Sequence, residues 1–317
     1  MMDKLGVAVI GTGFWGRNHA RVFKELPMTE LVAVCDIDYE RANTVARQFG
    51  VKAYTSPGKM LRRKDIEAVS ICTWSTSLAK EALRALKAGK HVLVEKPMAA
   101  NSKCAEALLK CSESNGLLLT VGFLMRFIPG IQYIKEAFME KRFGEIVCAT
   151  AKRVSQWPER IGDVGVVKDL AIHDIDMMRY LFNENPVAVY AKAGSLRHSK
   201  FEDYAHIMLT FDGNKNAFIE ANWLTPYKTR TLVITSSEAI IKLDYITQEL
   251  SIERAKESVQ PRIPWQEPLK LELEHFVNCV LGKAKPLITG WDGLMAIKIA
   301  EAALKSSKTG KLIKIRD

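Results

Sequence analysis

Three glycines, Gly11, Gly13 and Gly16, stand where a short apolar run, GVAVIG, meets a helical stretch from Phe14 to Leu26. In that setting the G-x-G-x-x-G spacing restricts the fold more than any other feature of the chain. The first glycine permits a tight turn, the second lets a pyrophosphate approach the backbone, and the third lets helix and strand pack closely. The start of the helix offers unsatisfied N–H groups to that anion. Asp36 ends the next strand, LVAVCD, about twenty residues on, where a carboxylate can bind both ribose hydroxyls. A glycine-rich turn without a ligand is the plainer alternative, and this context weighs against it. The dinucleotide expected is NAD rather than NADP, because Asp36 would repel a 2′-phosphate and no Arg follows it directly in DIDYE. Thr12, Phe14 and Trp15 complete the loop as cofactor-binding candidates.

The alternation of strand and helix continues to Gly122. DYERANTVARQFG reads as a helix closed by Gly50, followed by the strands AVSICT, HVLVEKP and LLLTVG and the helices SLAKEALRALKAGK and NSKCAEALLKCSESNG. Such alternation predicts a parallel, doubly wound sheet, an N-terminal Rossmann domain over residues 1–122. Ligands of these sheets lie beyond the carboxyl ends of the strands. Glu95, Lys96 and Pro97 end one strand there. Pro97 biases Lys96 toward an extended conformation that aims its ammonium into the crevice. The alternative is a surface lysine in a strand-end turn.

At 317 residues the chain is too long for one ordinary domain, so a second is expected over residues 123–317. There IQYIKEAFMEKR reads as a helix, followed by EIVCATAKRV, VAVYAKAGSL, YAHIMLTF, NAFIEANWL, RTLVITSS and AIIKLDY as strands. Asp212-Gly213 marks a hairpin turn. LKLELEHFVNCVLG and WDGLMAIKIAEAALKSS are closing helices. The expectation is an α+β domain whose largely antiparallel sheet has one helix-covered face and one open face, for a ligand or a partner subunit.

Several function classes recede on composition. No secretory leader is read at the start, and the longest apolar run is about half the ~20 residues of a membrane span. Six scattered cysteines with no CxxC pair read as reduced, mostly buried thiols, hence a cytoplasmic protein without a metal site. A net charge of +10 permits a polyanion partner, but the basic residues are spread among 36 acids without a nucleic-acid motif. An anionic small molecule fits as well, and no nucleic acid is expected.

VVKDLAIHDIDMMRYL, residues 166–181, raises a sharper question. At helical spacing Asp169, His173, Asp176 and Tyr180 share a stripe on an otherwise apolar helix. Half-buried polar groups are costly unless paired or used. A satisfied buried pair is one reading, and a metal site is another that lacks a third convergent ligand.

Taken together, GTGFWG, EKP and DLAIHDID resemble the Gfo/Idh/MocA family of nicotinamide-dependent sugar and cyclitol oxidoreductases, over the whole chain. The resemblance implies that Lys96, Asp169 and His173 line the hydride-transfer site, so the polar stripe faces nicotinamide and substrate. His173 would act as the base, Lys96 would stabilise developing alkoxide charge, and Asp169 would orient His173 or hold a second hydroxyl. Thr73, Trp74 and Ser75, in a loop lacking the Pro common in relatives, would meet the bridge between adenosine and nicotinamide. It also implies a homodimer or homotetramer. A regulatory protein of the same fold that has lost its chemistry is the rival, and keeping Lys96, Asp169 and His173 together argues against it.

The stretch from Ala151 to Asp176 is similar to members acting on nucleotide-linked sugars, with oxidation of UDP-N-acetylglucosamine at carbon 3 the specific expectation. Arg153 and Arg160 could hold a diphosphate, and Trp157 or Tyr227 could stack on a base or sugar face. Those arginines could instead pair with Glu159 and Asp163, leaving free sugars or cyclitols as substrates.

Overall fold

β1 (Leu5–Ile10) is buried at every position, as an unbroken apolar run requires when both faces are covered. After it come α1 (Phe14–Glu25), β2 (Thr29–Cys35), α2 (Tyr39–Phe49), β3 (Lys52–Tyr54) and α3 (Pro57–Met60). Next are β4 (Ala68–Ile71), α4 (Ser75–Lys87), β5 (His91–Val94), α5 (Ser102–Ser114) and β6 (Leu119–Val121). Gly50 ends α2 in the left-handed conformation at φ 67°. All six strands pair in parallel, in the order β3-β2-β1-β4-β5-β6. This is the doubly wound Rossmann order, and its direction reverses between β1 and β4. The loops that follow those two strands therefore stand at the switch point. The computed structural model describes residues 4–158 and 162–315.

The second sheet is built differently. α6 (Pro129–Met139) and β7 (Ile146–Val154) lead to a π-helical turn, Val167–Ala171, that runs into α7 (Ile172–Phe182). Then follow β8 (Ala188–Gly194), β9 (Tyr204–Thr210), β10 (Asn216–Asn222), β11 (Thr229–Ser236), β12 (Ile240–Asp244), β13 (Leu250–Arg254) and β14 (Glu257–Val259). Gly213, at φ 68°, turns β9 into its antiparallel partner β10, where the Asp-Gly pair predicts a turn. Alternation along β9 and β10 puts Ala205, Ile207, Leu209, Ala217, Ile219 and Ala221 on the buried face. The opposite face leaves Phe218 44% and Tyr190 42% exposed.

The chain ends with α8 (Pro268–Val280), α9 (Gly290–Thr309) and β15 (Ile313–Lys314). β15 pairs with β8, completing the order β14-β13-β12-β11-β7-β10-β9-β8-β15, in which only β7 and β10 run parallel. α8 behaves otherwise: Leu269, Leu273, Phe276 and Val277 share a core with Leu5, Val7, Phe23 and Val34. The compact units are thus Met1–Phe123 with Leu269–Leu294, and Leu124–Pro268 with Met295–Asp317. This corrects the single division at residue 122. The apolar stripe of α8 marks it as packed, but a stripe does not say against which sheet.

All six cysteines are free thiols, yet only Cys35 is fully buried and Cys104 is exposed, so the expectation of mostly buried thiols is corrected too. Among the described residues no helix is long and apolar enough to cross a membrane.

Candidate active site

In the first unit the glycine loop performs the three tasks its spacing implies. Gly11 has φ 90°, and a Cβ there would lie 2.5 Å from the Cys72 carbonyl oxygen. A Cβ on Gly16 would fall 1.7 Å from the Gly11 oxygen, so helix and strand meet too closely for any side chain. Beside Gly13, by contrast, a Cβ would find no atom within 4 Å. That open space lies at the N-terminus of α1, which no side chain caps. The backbone there can accept a pyrophosphate, so the loop fits a dinucleotide. Phe14 and Trp15 flank it, 75% and 41% exposed.

Asp36 ends β2, nearly buried at 7% exposure. Its Oδ2 accepts hydrogen bonds from Thr12 N at 2.7 Å and Thr12 Oγ1 at 3.0 Å, which ties the ribose-binding candidate to the phosphate loop. Its Oδ1 accepts from Asp38 N at 3.0 Å and lies 3.6 Å from Arg41 Nη1. No Arg follows Asp36 directly in sequence, but the first turn of α2 brings one to it. Thr73, Trp74 and Ser75 leave the end of β4 and enter α4, with Thr73 Oγ1 accepting from Ser77 Oγ at 3.0 Å and Trp74 44% exposed.

Glu95, Lys96 and Pro97 follow β5, and the Lys96–Pro97 peptide is cis. Lys96 is half-buried. Glu95, 6% exposed, accepts from the Lys96 amide at 3.2 Å, and its other oxygen lies 3.1 Å from His19 Nε2. His19 is fully buried, and its Nδ1 sits 2.7 Å from Ser70 Oγ. Burial alone would lower the imidazole pKa, but Cys72 and Glu95 outweigh it and hold the ring well above its ordinary value. His19 and Ser70 thus brace the Glu95–Lys96 turn from α1 and β4, a role the motif reading misses. The available signal was a histidine on the buried stripe of α1, with Gly16, Ala20 and Phe23.

In the second unit the helix of residues 166–181 sorts its polar groups sharply. Asp174 is fully buried and accepts from Arg153 Nε at 2.6 Å and Nη2 at 2.9 Å. Asp176, 1% exposed, accepts from Arg126 Nε at 2.9 Å and Nη2 at 2.7 Å. Tyr180 receives a 3.2 Å hydrogen bond from Gln132, and its ring lies beneath Arg126 and Lys135. Asp176 and Tyr180 are thus held by these neighbours, and the other two polar members of the stripe, Asp169 and His173, are both half-buried. Asp169 sits in the π turn, its amide donating to the Gly165 oxygen at 2.9 Å. Turns of this kind are frequent at functional sites.

Arg153 requires a correction. It is 2% exposed and committed to Asp174, with its guanidinium 5.4 Å from the Tyr245 ring centre, so it is not a diphosphate ligand. Trp157 is half-buried against Trp223, with the Arg197 guanidinium 4.7 Å from its ring centre. Tyr227 is 69% exposed, so its ring is open to stacking. Arg160 lies outside the described residues.

Comparison with known proteins accords with this architecture. Residues 5–123 match the oxidoreductase family with an NAD-binding Rossmann fold, and residues 131–242 match the GFO/IDH/MocA C-terminal domain. UDP-N-acetylglucosamine 3-dehydrogenase of Acidithiobacillus ferrooxidans is 29% identical over 96% of both chains. Inositol 2-dehydrogenase/D-chiro-inositol 3-dehydrogenase of Halalkalibacterium halodurans is 28% identical over 97% of this chain and 92% of its own. The solved structure of the Acidithiobacillus enzyme superposes with a TM-score of 0.89 at 27% identity, covering 97% of this chain and 99% of its own. Levoglucosan dehydrogenase in complex with NADH and L-sorbose gives 0.92 at 21% identity over 99% of this chain and all of its own, a likeness of fold. With its phosphate loop formed and both of its domains matched, the chain belongs to the Gfo/Idh/MocA family of NAD-binding oxidoreductases.

Proposed function

We propose that this protein is an NAD-dependent dehydrogenase that oxidises a secondary hydroxyl of a nucleotide-linked sugar, UDP-N-acetylglucosamine at carbon 3 being the substrate. The observation that carries the assignment of roles is the division along one helix. Asp174 and Asp176 are buried and neutralised by arginines, whereas Asp169 and His173 are half-buried on the remaining stripe. The end-to-end similarity to a UDP-N-acetylglucosamine 3-dehydrogenase supports the substrate.

In this reading the nicotinamide of bound NAD would supply the acceptor for the hydride that leaves the carbinol carbon. His173 takes the hydroxyl proton, a task suited to an imidazole, which ordinarily titrates near ~6.5. Lys96 donates to the same oxygen and stabilises its developing negative charge. Asp169 orients His173 or holds a neighbouring hydroxyl. Gly13, the α1 N-terminus and Asp36 hold the dinucleotide. The protein works in the cytoplasm as a homodimer or homotetramer, the open sheet face with Phe218 and Tyr190 supplying the contact.

The test incubates the protein with NAD and UDP-N-acetylglucosamine, follows NADH absorbance and traps the ketone with hydroxylamine. His173→Ala and Lys96→Ala should each lower turnover by about 100-fold or more. Efficient oxidation of free glucose or inositol with none of the UDP-sugar would overturn the substrate. Full turnover in His173→Ala would remove it as the base. A monomer by light scattering at micromolar concentration would overturn the assembly.

A further inference from the structure

Arg153 and Arg230 stand directly opposite each other on the antiparallel pair β7 and β11. Like charges in that relation destabilise a sheet. Arg153 meets its need by closing on Asp174 through two hydrogen bonds. Arg230 is half-buried on the same face, and among the described residues no carboxylate lies within ion-pair distance of it. It does sense Asp174 and Asp169 at longer range, but burial first and Arg153 second push its pKa down to about 10. Lys228, two residues earlier and exposed, is also pushed down, by Arg230 first and burial second. Arg153 and Arg230 thus share the field of Asp174 and Asp169, with Asp174 closed on Arg153, while Lys228 adds a third cation to the cluster.

A half-buried guanidinium without a close counter-charge is unfavourable, and an apolar side chain would serve the fold better there. Its retention makes physical sense if the missing partner arrives with the substrate. The guanidinium fork matches the paired oxygens of a phosphate or a carboxylate, which a lysine alone would hold only as a point charge. Arg230 stands directly across from Arg153, which closes on Asp174 of α7, so an anion held by it lies near the helix that carries the proposed chemistry.

We propose that Arg230, assisted by Lys228, is the specificity residue that anchors an anionic group of the substrate, with Arg153 the fixed charge behind it. This rests on the dehydrogenase reading for its substrate, though not for the existence of the anion site. Two sources carry the required chemistry: the diphosphate of a nucleotide sugar, and the carboxylate of an acidic sugar.

The experiment titrates UDP, glucuronate and N-acetylglucosamine into the NAD-loaded full chain by calorimetry, comparing wild type, Arg230→Met and Arg230→Lys. Arg230→Met should weaken the bound anion by about 10- to 100-fold, and Arg230→Lys by less, while NAD affinity is unchanged. Because Arg230 closes no ion pair, Arg230→Met should melt no lower than wild type, which separates a binding role from a structural one. UDP as the ligand that is lost identifies the diphosphate, and glucuronate identifies the carboxylate. Equal anion affinity in wild type and Arg230→Met, wild type binding neither anion, or a large fall in Tm overturns the proposal. Arg230-dependent anion binding by a protein that oxidises no sugar would sink the dehydrogenase reading and leave this site standing.

Discussion

Asp174→Asn is the most exposing perturbation of this chain, because the aspartate is the counter-charge that makes a second arginine tolerable. Arg153 and Asp174 are 2% and 0% exposed and joined at 2.6 and 2.9 Å, so no water compensates the loss of either. Breaking a pair this deep leaves a buried charge and costs about 3–5 kcal/mol. The two single variants should nevertheless differ. Asp174→Asn strands Arg153 directly across from Arg230, adding like-charge repulsion and moving the cost to the upper end, about 5 kcal/mol. Arg153→Met removes that repulsion and leaves Asp174 within the field of Arg230, so its cost should sit near the lower end, about 3 kcal/mol. Replacing both, Arg153→Met with Asp174→Leu, should recover most of the loss, since well-packed apolar pairs commonly equal buried ion pairs. Urea denaturation of the four proteins measures these differences. In thermal melts Asp174→Asn should fall by about 10 °C or more, at 2–4 °C per kcal/mol for units of this size. A loss below about 1 kcal/mol, or a larger loss in Arg153→Met than in Asp174→Asn, would refute the reasoning.

Three further outcomes are expected. Asp36→Ala should weaken NAD by about 10-fold and narrow its preference over NADP, because it removes both the anchor of Thr12 and the charge facing a 2′-phosphate; wild-type affinity for NADPH equal to or above that for NADH, measured by fluorescence titration, contradicts this. His19→Ala should destabilise by about 1–3 kcal/mol by unbracing buried Glu95, and should lower turnover with little change in NAD affinity, as His19 acts by positioning Lys96; unchanged Tm and turnover would remove that role. Burial would raise the Asp203 pKa, but the amides of Arg197, His198 and Leu196 donate to the carboxylate at 2.7–3.1 Å and hold it below its ordinary value. A carboxylate with a depressed folded pKa stabilises above its unfolded value near ~3.9 and loses that contribution as pH falls through the folded one. The Tm gap between wild type and Asp203→Asn should therefore be full at neutral pH and shrink below about pH 4, and a gap constant with pH contradicts it.

The features legible in the sequence are those written in local backbone geometry. Gly11, Gly13 and Gly16 declare a turn, an open approach and a close packing contact, and each is a property of the missing Cβ at that position. The unbroken apolar runs of the first half and the alternating runs of the second declare parallel and antiparallel sheets through periodicity alone. The short strands β13 and β14, which finish one end of the second sheet, escaped because a run of three to five residues holds too little period. The polar stripe on α7 announced a site but not its membership. Asp174 and Asp176 look no less available than Asp169 along the helix, and what separates them is Arg153, 21 residues away, and Arg126, 50 residues away. The placing of residues 269–294 in the first unit, the bracing of Glu95 by His19 across 76 residues, and the pairing of Arg153 with Arg230 have the same character. Propensity and periodicity act over one or two turns of chain, whereas charge neutralisation in a buried site is settled by whichever partner the fold brings within hydrogen-bonding distance. The sequence by itself therefore determined that this chain carries a dinucleotide loop and a polar helix, and only the tertiary structure decided which of its charged side chains close on one another.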